Sequence, residues 1–157
     1  MKRKQPNKVK IGISIGDVAG VGLEVIIKTF SDARIFEHIT PIIYGDSAIA
    51  KFYRKGINIS DFSFNLIKNA EEANPKRVNI IDVGNAEMKF NFGVPSNETG
   101  ALALKSLERA TSDIASNKID ALVTAPIDKN TIQSKGFNFP GHTEYLTKMA
   151  NVEEALM

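Results

Sequence analysis

Three apolar runs in this chain each end on a glycine turn, and that punctuation limits the fold more than any other feature. Val9 to Ile15 alternates valine and isoleucine with Lys10, Gly12 and Ser14 and meets Gly16-Asp17. Thr40 to Tyr44 meets Gly45-Asp46-Ser47, and Val78 to Val83 ends at Gly84. Short runs rich in β-branched residues and closed by Gly or Asp read as strands. Helical patterns come after the first two: Leu23 to Phe30 after Gly20-Val21-Gly22, and Ala48 to Lys55, stopped by Gly56. Strand, glycine turn and helix in that order make the first half of a βαβ unit. The expected fold is therefore α/β with a mostly parallel sheet.

The remaining chain extends this pattern. Asp61 to Ile67 reads as a weaker strand, and Asn69 to Arg77, polar and containing Pro75, reads as a loop. Asn85 to Asn97 carries Gly93, Pro95 and Ser96 and is expected to leave the sheet, with Asn97 capping the next helix. Glu98 to Asn117 places Ala101, Leu104, Leu107, Ala110, Ile114 and Ala115 at helical intervals. Ala121 to Thr124, between Asp120 and Pro126, suits a strand buried on both faces. A short helix is expected over Lys129 to Lys135 and another from His142 to about Asn151. Val152 to Met157 ends on Ala-Leu-Met without a stop signal, and reads as the start of a further strand in a sequence cut at that point.

Composition excludes several classes. With 157 residues, 43% apolar and 24% charged, the chain matches one soluble globular domain. The net charge of +2 owes much to Lys2, Arg3, Lys4, Lys8 and Lys10. That cluster reads as a solvated tail, since no aromatic residues interleave with it to make a nucleic-acid surface. No apolar stretch approaches the roughly 20 residues that cross a bilayer, and no secretory leader is visible. Zero cysteines exclude disulfides and thiolate metal sites and fit a cytoplasmic protein.

The motifs narrow the chemistry. Gly12-Ile13-Ser14-Ile15-Gly16 has the letters of a nucleophile elbow, but Ser14 falls inside a strand, where an elbow serine cannot work. Gly16 to Gly22 spaces its glycines G-x-x-x-G-x-G, which is not the Rossmann fingerprint, and no P-loop lysine comes after it. Two readings stay open there: a tight turn that lets a helix pack closely, or amides at Gly20 and Gly22 facing an anion or a cleft.

Chemistry in parallel sheets gathers at the carboxyl ends of strands. After Thr124 come Asp128 and Lys129, then Pro140-Gly141-His142-Thr143-Glu144. Gly141 permits close approach, Thr143 adds a hydroxyl, and a helix start favours anions, so His142 is a binding candidate. Lys129 is either a phosphate partner or a surface lysine, and Asp128 either faces the cleft or caps the next helix. His38, in a polar connection, reads as structural or exposed. One candidate histidine among scattered carboxylates makes no metal ligand set, so no metal site is expected within this chain.

Three blocks carry a family resemblance: GISIGDVAGVGLEVI (Gly12 to Ile26), ALVTAPIDK (Ala121 to Lys129) and FPGHTEYL (Phe139 to Leu146). In this order, over almost the whole chain, they resemble the 4-hydroxythreonine-4-phosphate dehydrogenases of pyridoxal phosphate synthesis. The resemblance implies a two-domain α/β/α fold similar to isocitrate and isopropylmalate dehydrogenases, incomplete here, with the active site in the interdomain cleft of a homodimer. Residues 1–125 would belong to the first domain, and 126–157 would begin the second. It implies NAD or NADP without the usual fingerprint, and a divalent metal (zinc, magnesium or cobalt).

The implied reaction oxidises the C3 hydroxyl of 4-phosphooxy-L-threonine; the 3-keto acid then loses carbon dioxide to give 3-amino-2-oxopropyl phosphate. His142 and Thr143 would bind this substrate. The family's metal histidines and much of its cofactor site lie farther along than Met157, so the chain alone is expected to be inactive. Asp128 stands where many relatives carry histidine, which leaves room for a related phosphorylated hydroxy acid. The rival readings are a non-catalytic binding or dimerisation module, and a nucleotide-binding domain built on the glycine turn.

Overall fold

The computed structural model describes residues 8–59, 63–84, 88–133 and 136–154. Five strands, β1 (Val9–Ser14), β2 (Ile39–Gly45), β3 (Phe64–Ile67), β4 (Val78–Asp82) and β5 (Ala121–Thr124), form one sheet in the order β3-β4-β2-β1-β5. Every pairing is parallel, with Val9 opposite Ile39 and Ile11 opposite Ala121 on the two sides of β1. The expected α/β class and parallel sheet are what the chain forms. Asp61 and Phe62, at the start of the expected third strand, lie outside the described residues.

Helices cover both faces. On one, α1 (Gly22–Phe30) and α2 (Ser47–Gly56) bring Leu23, Ile27, Ile49 and Tyr53 against Ile13, Ile43 and Ile80. On the other, α3 (Asn97–Ala115) lays Ala110 against a cluster of Ile42, Tyr44, Ile81 and Ile119. Successive residues of β2 thus serve opposite cores, which is why its sequence is a nearly continuous apolar run. Each fully buried isoleucine contributes roughly 1.5–3 kcal/mol of transfer free energy. Asp46 starts α2 by accepting from the amides of Ala48 and Ile49, both at 2.9 Å.

The buried stripe of α3 is more polar than apolar spacing suggested: Thr99, Ser106, Thr111 and Asp113 are buried beside Leu102, Ala103, Leu107 and Ala110. Each buried polar group needs a partner. The Tyr44 hydroxyl donates to Asp113 Oδ2 at 2.9 Å, with Arg109 Nε 3.5 Å from Oδ1. Burial first, then the Asp113 carboxylate, pushes the Tyr44 phenol up, so it stays a neutral donor. Ser106 Oγ accepts from the Ile15 amide at 3.0 Å and donates to the Tyr44 carbonyl at 2.5 Å, joining helix to sheet. Ser106→Ala strands a buried amide and a buried carbonyl, and is expected to cost about 1–3 kcal/mol. Urea unfolding measures this; a cost below about 0.5 kcal/mol would mean that other partners replace Ser106.

Two expectations need correction. β5 is not buried on both faces: it is an outer strand, paired among the described residues only with β1, and Val123 is 53% exposed. The cap of α3 is shifted by one residue: Ser96, not Asn97, caps the helix, its side chain accepting from the Thr99 amide while Thr99 Oγ1 accepts from the Ser96 amide. Two short 3-10 helices, Ala33–Glu37 and Ala70–Glu72, were not foreseen; the second interrupts the expected loop. The excursion before α3 is borne out for its described part, where Asn91 and Val94 form an isolated bridge off the sheet.

Candidate functional site at the carboxyl edge of the sheet

The chain leaves β1 toward β2 on one side and returns to β5 on the other, so the strand order reverses between β1 and β5. After β1 it passes into α1 on one face; after β5 it enters α4 (Lys129–Gln133) and α5 (His142–Ala150), whose residues pack with α3 on the opposite face. Turns that diverge to opposite faces open a crevice above the strand ends, the usual ligand site of such sheets.

Two turns floor this crevice, and they touch. The Asp17 amide donates to the Pro126 carbonyl at 2.9 Å, and the Ala125 amide to Ser14 at 3.0 Å. Gly16 has φ +64°, and a Cβ there would lie 2.1 Å from the Pro126 oxygen. Gly22 is buried, and a Cβ on it would lie 2.7 Å from the Ile15 oxygen and 3.1 Å from the Ala125 methyl. Close helix-to-strand packing therefore explains Gly22, while Gly20 is exposed and its amide closes a turn on the Asp17 carbonyl at 3.0 Å. Asp17 is buried, its Oδ1 accepting from the Ala19 amide at 2.9 Å.

Asp128 starts α4: Oδ1 accepts from the Thr131 amide at 2.9 Å. The capping role raised for it is present in the structure. Asp128→Ala is expected to cost about 1 kcal/mol and Asp128→Asn only a few tenths, because asparagine caps as well. Equal losses for the two variants in thermal melts would point to the charge instead. Lys129 is exposed. α4 lies close on α3 because Gly100 leaves room; a Cβ there would sit 2.4 Å from the Thr131 carbonyl. An interior glycine weakens a helix by roughly 1 kcal/mol, so its position in α3 was a readable signal of this approach.

The segment from Gly136 to α5 is held by aromatics. Phe137, Phe139 and Tyr145 have ring centroids 5.3–5.4 Å apart, and with Ile132 and Leu107 they make a third core cluster, which Ile127 joins from the turn after β5. Through this cluster the structure ties the Asp128 turn to the helix that begins with His142 and Thr143. Gly141 precedes α5 with an extended backbone, φ −175°, a conformation open to any residue. A Cβ there would lie 3.4 Å from Glu144 Oε2, an ordinary contact with the end of a flexible side chain, so the close approach expected at Gly141 is not needed among the described residues.

Two buried side-chain atoms have no hydrogen-bond partner among the described residues: Ser14 Oγ, on the last residue of β1, and His142 Nε2, on the first residue of α5. Ser14 is the last residue of β1 and not interior to it, but it is paired in the sheet with Tyr44 and Thr124, whereas a nucleophile elbow needs its serine on a turn after the strand. Burial lowers the His142 pKa from its ordinary 6.5, keeping the imidazole neutral. His38 is exposed beyond the first 3-10 turn. Among the described residues no three His, Cys, Asp or Glu side chains gather as a metal ligand set, and no helix is long and apolar enough to cross a membrane. Sequence reasoning missed Tyr53, whose hydroxyl donates to the Val18 and Gly20 carbonyls; nothing in the spacing of α2 separates it from an ordinary core residue.

Comparison with known proteins agrees with this architecture. The chain is 44% identical over 154 residues to a Bacteroides thetaiotaomicron 4-hydroxythreonine-4-phosphate dehydrogenase, covering 98% of this chain and 42% of that protein. It is 31% identical over 153 residues to a Clostridium botulinum protein whose name proposes D-threonate 4-phosphate dehydrogenase activity, covering 96% of this chain and 46% of that one. The crystal structure of a 4-hydroxythreonine-4-phosphate dehydrogenase from Burkholderia phymatum superimposes with a TM-score of 0.84 at 30% identity, over 95% of this chain and 46% of that one. The chain thus spans under half the length of the relatives it matches. Residues 37–157 match the model of the pyridoxal phosphate biosynthetic protein PdxA, and the chain belongs to that family.

Proposed function

We propose that this protein is a dehydrogenase of a phosphorylated four-carbon acid, and specifically that it oxidises the C3 hydroxyl of 4-phosphooxy-L-threonine. The resulting 3-keto acid decarboxylates to 3-amino-2-oxopropyl phosphate. The observation that carries the reading is the buried, unpartnered Nε2 of His142, on the first residue of α5. A buried polar atom without a partner costs free energy unless a ligand completes it. A neutral imidazole there offers one hydrogen bond to a carboxylate or phosphate, and Thr143 stands beside it with a hydroxyl. Asp128, Lys129, Gly20 and Gly22 are the further cleft positions of this reading; Asp128 and Gly22 act through the conformation of the turns.

The reading includes NAD or NADP as hydride acceptor and a divalent ion that polarises the reacting oxygen. The described residues supply no ligand set for that ion. It further includes a homodimer in the cytoplasm, with the domain division near Ala125. The 44% relative favours the amino-acid substrate; the 31% relative supports D-threonate 4-phosphate as the second reading, with a hydroxyl where the first substrate has an amine.

The test is steady-state oxidation of both phosphate esters, with NAD and NADP in turn, by the protein as its source organism makes it. The expected result is a kcat/KM at least about tenfold higher for 4-phosphooxy-L-threonine. The reverse preference would establish the second reading, and no turnover of either ester would end both.

A further inference from the structure

Tyr53 is buried on the face of α2 that also buries Ile49 and Ala50, where a purely apolar residue would pack as well. Its hydroxyl reaches out of α2 to the turn between β1 and α1, donating to the Val18 carbonyl and, at 2.9 Å, to that of Gly20. The carbonyl between them, Ala19, accepts from the Gly93 amide at 2.7 Å. Two donors from elsewhere in the chain, the single phenolic proton shared between Val18 and Gly20 and the Gly93 amide on Ala19, therefore hold three successive carbonyls of one turn. Because each peptide unit is planar, fixing three carbonyls also fixes the directions of the amides next in line.

The donors are themselves anchored. The ring of Phe90 stacks on Tyr53 with centroids 5.9 Å apart and planes 1° apart, and Phe92 meets it edge-on at 4.9 Å. Phe52 of α2 stacks on Phe92 at 5.8 Å. The stretch from Phe90 to Gly93 thus clamps the tyrosine ring and supplies the remaining hydrogen bond. Burial, and then the nearby Asp17 carboxylate, pushes the phenol up to about 12, so it keeps its proton. The far end of the same turn is bonded to Pro126, so its conformation reaches the floor of the crevice.

We propose that Tyr53 is a positioning residue for the cleft: its hydroxyl, with the Gly93 amide, holds the Val18–Gly20 turn in the conformation that binds substrate. This rests on the function proposed above only in placing the ligand in the crevice. The hold on the turn stands independently of what binds.

Tyr53→Phe tests it in the protein as its source makes it, since phenylalanine keeps the ring and its stacking and removes only the hydroxyl. Ile27→Val serves as the control, thinning the same core without touching the turn. Tyr53→Phe is expected to speed amide hydrogen exchange from Val18 to Gly22 by about tenfold or more, with β2 unchanged. It should raise KM for 4-phosphooxy-L-threonine about fivefold with kcat within about twofold, the pattern of lost ground-state binding. The control should lower the melting temperature and leave both KM and turn exchange as they were. An unchanged KM in Tyr53→Phe, or an equal rise in the control, overturns the positioning role. If the unaltered protein turns over neither ester, the proposed function fails, and the exchange comparison alone decides whether Tyr53 holds the turn.

Discussion

Replacing Gly16 by alanine is expected to destabilise the protein by about 3–5 kcal/mol, a large part of the roughly 5–15 kcal/mol that holds a domain together. Two costs add. At φ +64° a residue with a side chain sits in the left-handed region, at about 1–2 kcal/mol. The new methyl would also lie 2.1 Å from the Pro126 oxygen and 2.8 Å from that of Ala125, both backbone atoms that no rotamer change can move. Relieving the overlap means parting the two turns and weakening the bond from the Asp17 amide to Pro126. Gly136→Ala separates the two costs, because Gly136 has φ +91° with nothing within 4 Å of the added carbon. It should lose only the conformational part, about 1–2 kcal/mol. Chemical unfolding of both variants decides: losses within about 1 kcal/mol of each other would mean that the floor of the crevice yields freely.

That contrast also shows what a sequence conveys and what it withholds. β1, β2 and β4 are legible because each is a β-branched run stopped by glycine, and α3 because its apolar residues recur over 19 positions. The exposure of β5 is not legible: Ala-Leu-Val-Thr reads the same in the middle of a sheet and at its border, and only the strand order tells them apart. The cap of α3 slipped by one residue because Ser96 and Asn97 both have capping side chains; the choice falls to Ser96 through its reciprocal bond with Thr99, three positions on. At the site, the glycine turn was visible but its meaning was not. Its contact with Pro126 joins residues 110 positions apart, a pairing that no local pattern encodes. Ser106 and Tyr53 are silent for a related reason, since their hydroxyls serve backbone groups on distant strands and turns while their positions keep an unremarkable helical rhythm.

His142→Ala is expected to lower kcat/KM for the phosphate ester roughly thirtyfold, equivalent to about 2 kcal/mol for one hydrogen bond to a charged ligand. Its effect on stability has a distinct pH signature. Burial lowers the folded-state pKa of His142 below the 6.5 of an exposed imidazole. Between those two values the unfolded chain binds more protons than the folded one, so stability rises with pH across that interval. Acidification through 6.5 therefore removes stability, and the loss levels off once the pH is below the folded value. Alanine has nothing to titrate, so the variant should lack this part of the slope while losing activity at every pH. Because Nε2 has no partner among the described residues, removing the ring breaks no hydrogen bond of that atom there. Denaturant midpoints for the unaltered protein and the variant from mildly acidic to mildly alkaline pH, with kinetics alongside, separate the two effects. A variant with normal kcat/KM would remove His142 from the site. One with reduced kcat/KM and the same pH slope would place the imidazole in the site but exposed to water, leaving the empty hydrogen-bonding position without its ligand argument.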